Sequence, residues 1–249
     1  MSNTTIPTEL QATRLLEQPL VAPVYETSEP SQPVIARPGD ARNMDVPGQI
    51  NRMQLNSSQT GGRLLAMTCE VAPNGGPPPH MHSREDEIFV VQSGSIEFFI
   101  NGEYIVATRG DVVFAARGEA HTFRGLEGSE PNRFTGLITP GRNFEAFYNG
   151  WENFKNQPDA TLSDIAAHGA SHGLTLFLPD TEIPVVKNPR SKVVRAGSNR
   201  VLDVPGGRVQ IVLSTHDTGG AYGLIYVEAA HNEGPPPHMH SREDETFLI

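Results

Sequence analysis

The residues of this chain best equipped for chemistry are His80, His82, Asp86, Glu87 and His121. His80 and His82 are two apart, and residues i and i+2 of a β-strand project from one face, so both rings point the same way. Pro77, Pro78 and Pro79 precede them, disfavour helix and hold an extended approach. Glu87 stands at an odd separation from His82, so a regular strand aims it at the opposite face. It joins the histidines only if Ser83-Arg84-Glu85-Asp86 contains a turn or bulge. Asp86 has the matching parity without any irregularity and is the rival carboxylate. His121 follows a strand-like run, Asp111 to Ala115, and a turn at Arg117-Gly118, which carries it back towards the pair. Three neutral imidazoles and one carboxylate suit one divalent transition metal: Fe, Mn, Co, Ni, Cu or Zn. Such a set leaves room for water, substrate or dioxygen. Ligand type does not choose among the metals.

The elements that must position these groups read as short strands. Glu87 to Val91, Ser95 to Ile100, Tyr104 to Ala107 and Asp111 to Ala115 are apolar runs separated by Ser93-Gly94, Asn101-Gly102 and Arg109-Gly110. Asn-Gly between two apolar runs is a strong hairpin signal, and strands at this spacing predict an antiparallel sandwich or barrel. Helix is expected in the aromatic-rich segment Asn143 to Asn156, and again over Thr161 to His168, with Gly169 as its cap. Leu174 to Leu178 resumes an extended pattern.

The twelve-residue string from Gly76 to Glu87 recurs from Gly234 to Glu245, and His238, His240 and Glu245 repeat His80, His82 and Glu87 at an offset of 158. The offset holds upstream without gaps: Asp45-Val46-Pro47-Gly48 matches Asp203-Val204-Pro205-Gly206, and Thr60-Gly61-Gly62 matches Thr218-Gly219-Gly220. Register kept this long implies two copies of one domain. The expected organisation is an N-terminal arm over 1–33, a first domain with a helical linker over 34–177, and an incomplete second domain over 178–249. No residue 158 beyond His121 exists here, so the second copy offers a partial metal site of three donors, and the chain is expected to be a piece of a longer protein with an open sheet edge.

Composition narrows the partners. A net charge of −10 and a pI near 5.3 argue against nucleic acid and anionic membranes. The single cysteine, Cys69, permits no intramolecular disulfide and suits a reducing compartment. The N-terminus lacks a basic start followed by an apolar run, and no apolar stretch approaches the roughly 20 residues a membrane span requires. A cytoplasmic location is the expectation.

His80-Met81-His82, Glu87 after four further residues and Gly94 after six more resemble the first motif of the cupin superfamily, and Gly110, Gly118 and His121 resemble the second. Asn74, Ala116 and Gly125 depart from the glycine, proline and asparagine of those motifs, and none of the three is a ligand. The resemblance covers nearly all of the chain after the arm, as a bicupin cut short. It implies an all-β fold of tandem antiparallel barrels, a metal held by His80, His82, Glu87 and His121, and a homodimer.

Gly76-Pro-Pro-Pro-His-Met-His82, the long gap to Glu87 and the aromatics Phe144, Phe147, Tyr148 and Trp151 are similar to quercetin 2,3-dioxygenases. That likeness implies a small aromatic flavonol and O2 as partners, with Glu87 as general base on the flavonol 3-hydroxyl. Phe89, Phe98, Phe114 and Phe123 are expected to line an apolar pocket or to form plain barrel core. The competing readings are a bicupin acting on oxalate or another small acid, for which Arg84 and Arg124 are nearby cations, and a non-catalytic ligand-binding cupin.

His168 and His172 have the i,i+4 spacing of a helical zinc pair, but Gly169 stands where a metalloprotease has its glutamate, so a helix end and a loop histidine are expected. Cys69 reads as an inert strand thiol. His216 and His231 align with Ser58 and Pro73 and have no duplicated role.

Overall fold

The structure is a computed structural model that describes residues 33–155, 157 and 159–249. All but one residue of the arm expected over 1–33 lies outside the described residues. The chain divides into two compact units, Met1–Gly197 and Ser198–Ile249.

In the first unit the strands are β1 (Arg42–Asn43), β2 (Gln49–Leu55), β3 (Leu65–Val71), β4 (His80–His82), β5 (Asp86–Ser93), β6 (Ser95–Ile100), β7 (Glu103–Thr108), β8 (Val112–Ala115), β9 (His121–Gly125), β10 (Asn132–Thr139), β11 (Leu174–Leu176) and β12 (Lys192–Val194). Helices α1 (Arg142–Lys155) and α2 (Leu162–Ser171) lie between β10 and β11. One sheet has the order β1-β2-β3-β10-β5-β8-β12 and the other β11-β4-β9-β6-β7, all pairs antiparallel. The fold is all-β in class, a double-sheet barrel with one helical insertion.

The turns fall where the sequence puts them. Asn101 and Gly102 both have positive φ (45° and 92°), as a two-residue hairpin between β6 and β7 needs. Gly94 (φ 73°) passes the chain from one sheet to the other. A Cβ there would lie 2.8 Å from the Asn132 Cα and 2.4 Å from its Oδ1, the atom that accepts the Ser95 amide proton. Gly94→Ala is expected to cost about 2–5 kcal/mol, from left-handed strain plus overpacking. Urea unfolding reads it, and a loss below about 0.5 kcal/mol would contradict the account.

The second helix runs past its expected cap. Gly169 lies inside α2, where a Cβ would meet the Leu174 carbonyl at 3.1 Å, and the chain leaves the helix through His172 and Gly173 (φ 83°). Close packing of α2 on β11, rather than chain reversal, explains the glycine at 169.

Directly opposed residues of antiparallel strands share a face, so the pairing identifies the rows inside the large sheet. Ala115, Glu87, Ile138 and Leu65 form one row. Val113, Phe89, Gly136, Met67 and Met53 form the next, and Val91, Phe134, Cys69 and Asn51 the third. The small sheet covers the β10-β5-β8 half of these rows. There Phe89, Phe98, Phe123 and Phe134 interlock with ring centroids 5.0–5.9 Å apart. The remaining β2-β3 half is covered by α1, whose Phe144 and Tyr148 pack on Met44, Met53, Leu65, Met67 and Ile138. Glu145 of α1 accepts the Ser57 amide proton at 2.8 Å, and Arg42 donates to Asn149 at 2.6 Å, fixing the helix to the sheet edge.

The first unit extends to Gly197, beyond the 177 read from the repeat, because the segment carrying β12 docks on it. Val193 pairs with Val113; Glu119 accepts the Arg190 and Ser191 amide protons, and Asp111 accepts from Arg195 and the Ala196 amide.

The second unit holds β13 (Arg200–Val204), β14 (Gly207–Leu213) and β15 (Leu224–Ala229) in one antiparallel sheet. Its pairing Arg200↔Ile211 repeats Arg42↔Met53 at the sequence offset. Thr218 bonds the Tyr222 amide and carbonyl just as Thr60 bonds those of Leu64.

Candidate metal centre

The centre is assembled from both sheets. His80 and His82 share the inward face of β4; His80 is paired in register with His121 of β9. The triproline segment is tied down by Thr122 donating to the Pro77 carbonyl (2.6 Å) and by the Phe177 amide donating to that of Pro79 (2.9 Å). After His82 the chain bends at Ser83 and Arg84, with the Ser83 amide donating to the Gly173 carbonyl (2.8 Å), and the strand resumes at Asp86. That irregularity brings Glu87 inward to the histidines. Asp86 points the other way, where Arg117 binds it through Nε (2.9 Å) and Nη2 (3.0 Å). The contest between the two carboxylates goes to Glu87.

His80, His82, Glu87 and His121 are all buried, with their donor atoms within 4.8 Å of one another. Glu87 Oε2 is 2.8 Å from His121 Nε2, 3.5 Å from His82 Nε2 and 3.9 Å from His80 Nε2. Every histidine therefore turns Nε2 to the same point, and every Nδ1 faces an acceptor. His80 Nδ1 lies 2.9 Å from the Pro78 carbonyl, His121 Nδ1 lies 3.1 Å from the Glu119 carbonyl, and His82 Nδ1 lies 3.5 Å from Glu85 Oε2. Such acceptors hold the proton on Nδ1 and leave the Nε2 lone pair for a cation. The His82 Nε2 is buried without any hydrogen-bond partner, a costly arrangement that a bound metal removes. On these observations the residues fit a divalent metal.

Protonated imidazoles can stand in for the cation in holding Glu87 ionised. Burial raises the Glu87 carboxyl, but the His82 charge and hydrogen bonds from His121 and His80 outweigh it and hold the group well below the usual carboxylate range. Burial and the neighbouring His121 lower His80 to about 4, keeping its imidazole neutral.

Glu85 is the neighbour of the centre that the spacing argument missed, having been read only as part of the turn. It is buried, and neither carboxylate oxygen has a conventional hydrogen-bond partner, leaving His82 Nδ1 as its polar neighbour. The signal available was its recurrence: Glu243 lies 3.5 Å from His240 Nδ1 in the second copy. Replacing Glu85 with leucine is expected to weaken metal affinity about 10–100-fold, because His82 loses its orienting acceptor. Competition against a fluorescent chelator measures this; unchanged affinity would remove Glu85 from the centre.

The second unit brings His238, His240 and Glu245 within 4.8 Å of one another, but all three are exposed. They make a three-donor cluster without enclosure. The histidines of α2 stand apart from the metal donors: His168 Nε2 donates to the Phe147 carbonyl at 3.0 Å, and His172 ends the helix. Cys69 is a buried strand residue whose thiol is pushed up by burial and by Glu70.

Of the four phenylalanines expected at a pocket or in the core, Phe89, Phe98 and Phe123 belong to the interlocked ring cluster, and Phe114 is fully buried. They are core. The ligands nonetheless touch aromatics on both sides: His121 lies 6.3 Å from Phe89 of that core, while His82 lies 5.4 Å from Phe144 of α1, ring centroid to ring centroid.

Residues 67–138 match the family model described as Cupin domain. This stretch carries all four donors of the buried centre. No curated protein matches the chain. Among solved structures, a variant oxalate decarboxylase from B. subtilis is 18% identical over 88% of this chain and 63% of its own, with a TM-score of 0.49. KdgF from Halomonas sp. is 23% identical over 44% of this chain and 94% of its own (TM-score 0.39). The polyketide cyclase RemF from Streptomyces resistomycificus is 22% identical over 44% and 80% respectively (TM-score 0.39). Among the described residues, no helix is long and apolar enough to cross a membrane.

Proposed function

We propose that the first unit is a metal-dependent dioxygenase acting on a flavonol-type aromatic substrate with O2. One observation carries the reading: the ligand cluster borders a cluster of methionine, aliphatic and aromatic side chains under α1. It comprises Met44, Met53, Leu65, Met67, Ile138, Phe144 and Tyr148. Three of the chain's six methionines gather there. Thioether side chains repack easily and favour aromatic partners, as a chamber for a flat polycyclic ligand requires. The opposite side of the cluster is filled by interlocked phenylalanine rings.

Each part of the chain has a role in this scheme. His80, His82 and His121 would hold the metal through Nε2, with Glu87 as fourth donor. When bound, the metal supplies a Lewis-acid centre for the substrate's chelating oxygens and for dioxygen. Glu87, ionised across the neutral range, accepts the proton of the 3-hydroxyl at a carboxylate oxygen. Phe144 and the methionines exclude water. Cleavage of the two carbon–carbon bonds at carbon 3 expels that carbon as carbon monoxide, and both atoms of dioxygen end in the ring-opened ester acid.

The small-acid alternative calls for an inward cation. Arg84 is exposed, and Arg124 pairs with Glu97 at the surface (2.8 Å). Neither supports it. Metal-loaded protein incubated with quercetin in air is expected to bleach the flavonol absorbance and release carbon monoxide in equal amount. Absence of turnover with each of Fe, Mn, Co, Ni, Cu and Zn would defeat the proposal.

A further inference from the structure

Beside the methionine cluster under α1 one residue breaks the apolar pattern. Asn51 sits on the inward face of β2, opposite Cys69 and beside Met53, and is 1% exposed. Its Nδ2 donates to the Tyr148 hydroxyl at 3.5 Å, and its Oδ1 is buried with no hydrogen-bond partner. The amide can be turned either way, and in both orientations one of its polar atoms is left unsatisfied. Burying an unpartnered amide is destabilising.

The repeat shows what the fold alone accepts at this place. The counterpart of Asn51 in β14 is Val209, at the same offset of 158 and in the same strand pairing, since Asn51↔Cys69 corresponds to Val209↔Val227. A β-branched apolar residue therefore suits the strand, and the asparagine answers some other need. The Tyr148 hydroxyl is its neighbour from α1. Burial raises that phenol, as do the charges of Cys69 and Glu87, so it stays protonated and near enough to Glu87 to feel its charge.

We infer that Asn51 and Tyr148 form a hydroxyl-reading subsite in the chamber, selecting flavonols that carry a phenolic hydroxyl remote from the metal-chelating end. A hydroxyl is both donor and acceptor, so it satisfies the free polar atom of Asn51 in either orientation. The neighbouring Met44, Met53, Leu65, Met67 and Ile138 offer apolar and thioether surface, which holds the ring system without ordering it. The inference rests on the flavonol reading above, and it adds which flavonols bind.

The experiment compares quercetin with 3-hydroxyflavone, which keeps the chelating end and lacks the remote hydroxyls. Binding to the metal-loaded full chain is followed anaerobically through fluorescence of Trp151, the single tryptophan, three residues from Tyr148 on the same helix. Wild-type protein is expected to bind quercetin about tenfold more tightly, the worth of one well-placed hydrogen bond. Asn51→Val should erase that preference while leaving metal content and 3-hydroxyflavone affinity unchanged, and Tyr148→Phe should reduce it.

A second readout separates recognition from architecture. If Asn51 serves the ligand, Asn51→Val relieves an unsatisfied buried amide and raises Tm by about 2–4 °C; a purely structural asparagine would give a fall. Equal binding of the two flavonols by wild type, or a preference that survives Asn51→Val, overturns the subsite alone. Failure of both flavonols to bind overturns the flavonol reading, and the subsite with it.

Discussion

His80→Ala leaves the chain without its divalent metal, whereas the unaltered protein carries about one ion per polypeptide. The stoichiometry follows from enclosure. The first unit surrounds one point with four buried donors, and the second offers three exposed ones. Exposed donors remain hydrated and mobile, so ordering them opposes binding, while the buried set is already oriented by Pro78, Glu85 and Glu119. Removing His80 deletes a donor outright and opens a cavity beside Glu87. The loss in affinity should exceed the roughly 10–100-fold expected for an orienting residue such as Glu85. Elemental analysis after gel filtration measures it, with His240→Ala as the control that leaves the stoichiometry unchanged. Full occupancy in His80→Ala, or loss confined to His240→Ala, would move the centre elsewhere.

What could be read in advance was whatever depends on strand parity. His80 and His82 share a face by spacing alone, and Glu87 needed an irregularity that the chain supplies at Ser83-Arg84. The choice between Asp86 and Glu87 was not local. It turns on Arg117, thirty-one residues away, which binds Asp86 on the far side of the strand. Glu85 was hidden for a similar reason: a charged residue in a bend reads as solvated, and only tertiary packing buries it. Phenylalanines alternating along a strand look the same whether they line a chamber or fill a core. Ring-to-ring packing decided for core, and the spacing of the methionines of β2 and β3 that gather under α1 carries no signature. Lys192–Val194 was too short to show its sheet, and its pairing with β8 depends on anchors at Asp111 and Glu119.

Glu87→Gln separates holding the metal from moving the proton, and it is expected to lower kcat on quercetin by about 10²–10⁴-fold. The amide matches the carboxylate in shape and keeps an oxygen for coordination, so metal content should fall far less than in His80→Ala. What it lacks is a negative oxygen able to take the 3-hydroxyl proton. The three imidazoles around it hold the carboxyl well below the usual carboxylate range despite its burial. The bound flavonol gives a readout independent of turnover: under anaerobic conditions deprotonation shifts its absorbance to longer wavelength, and Glu87→Gln should weaken that shift while quercetin still binds through the chamber and the subsite at Asn51. Loss of binding together with loss of rate would instead make Glu87 a structural ligand only. An unchanged rate in metal-loaded Glu87→Gln would assign the proton to another group, and with it the chemistry proposed for the centre.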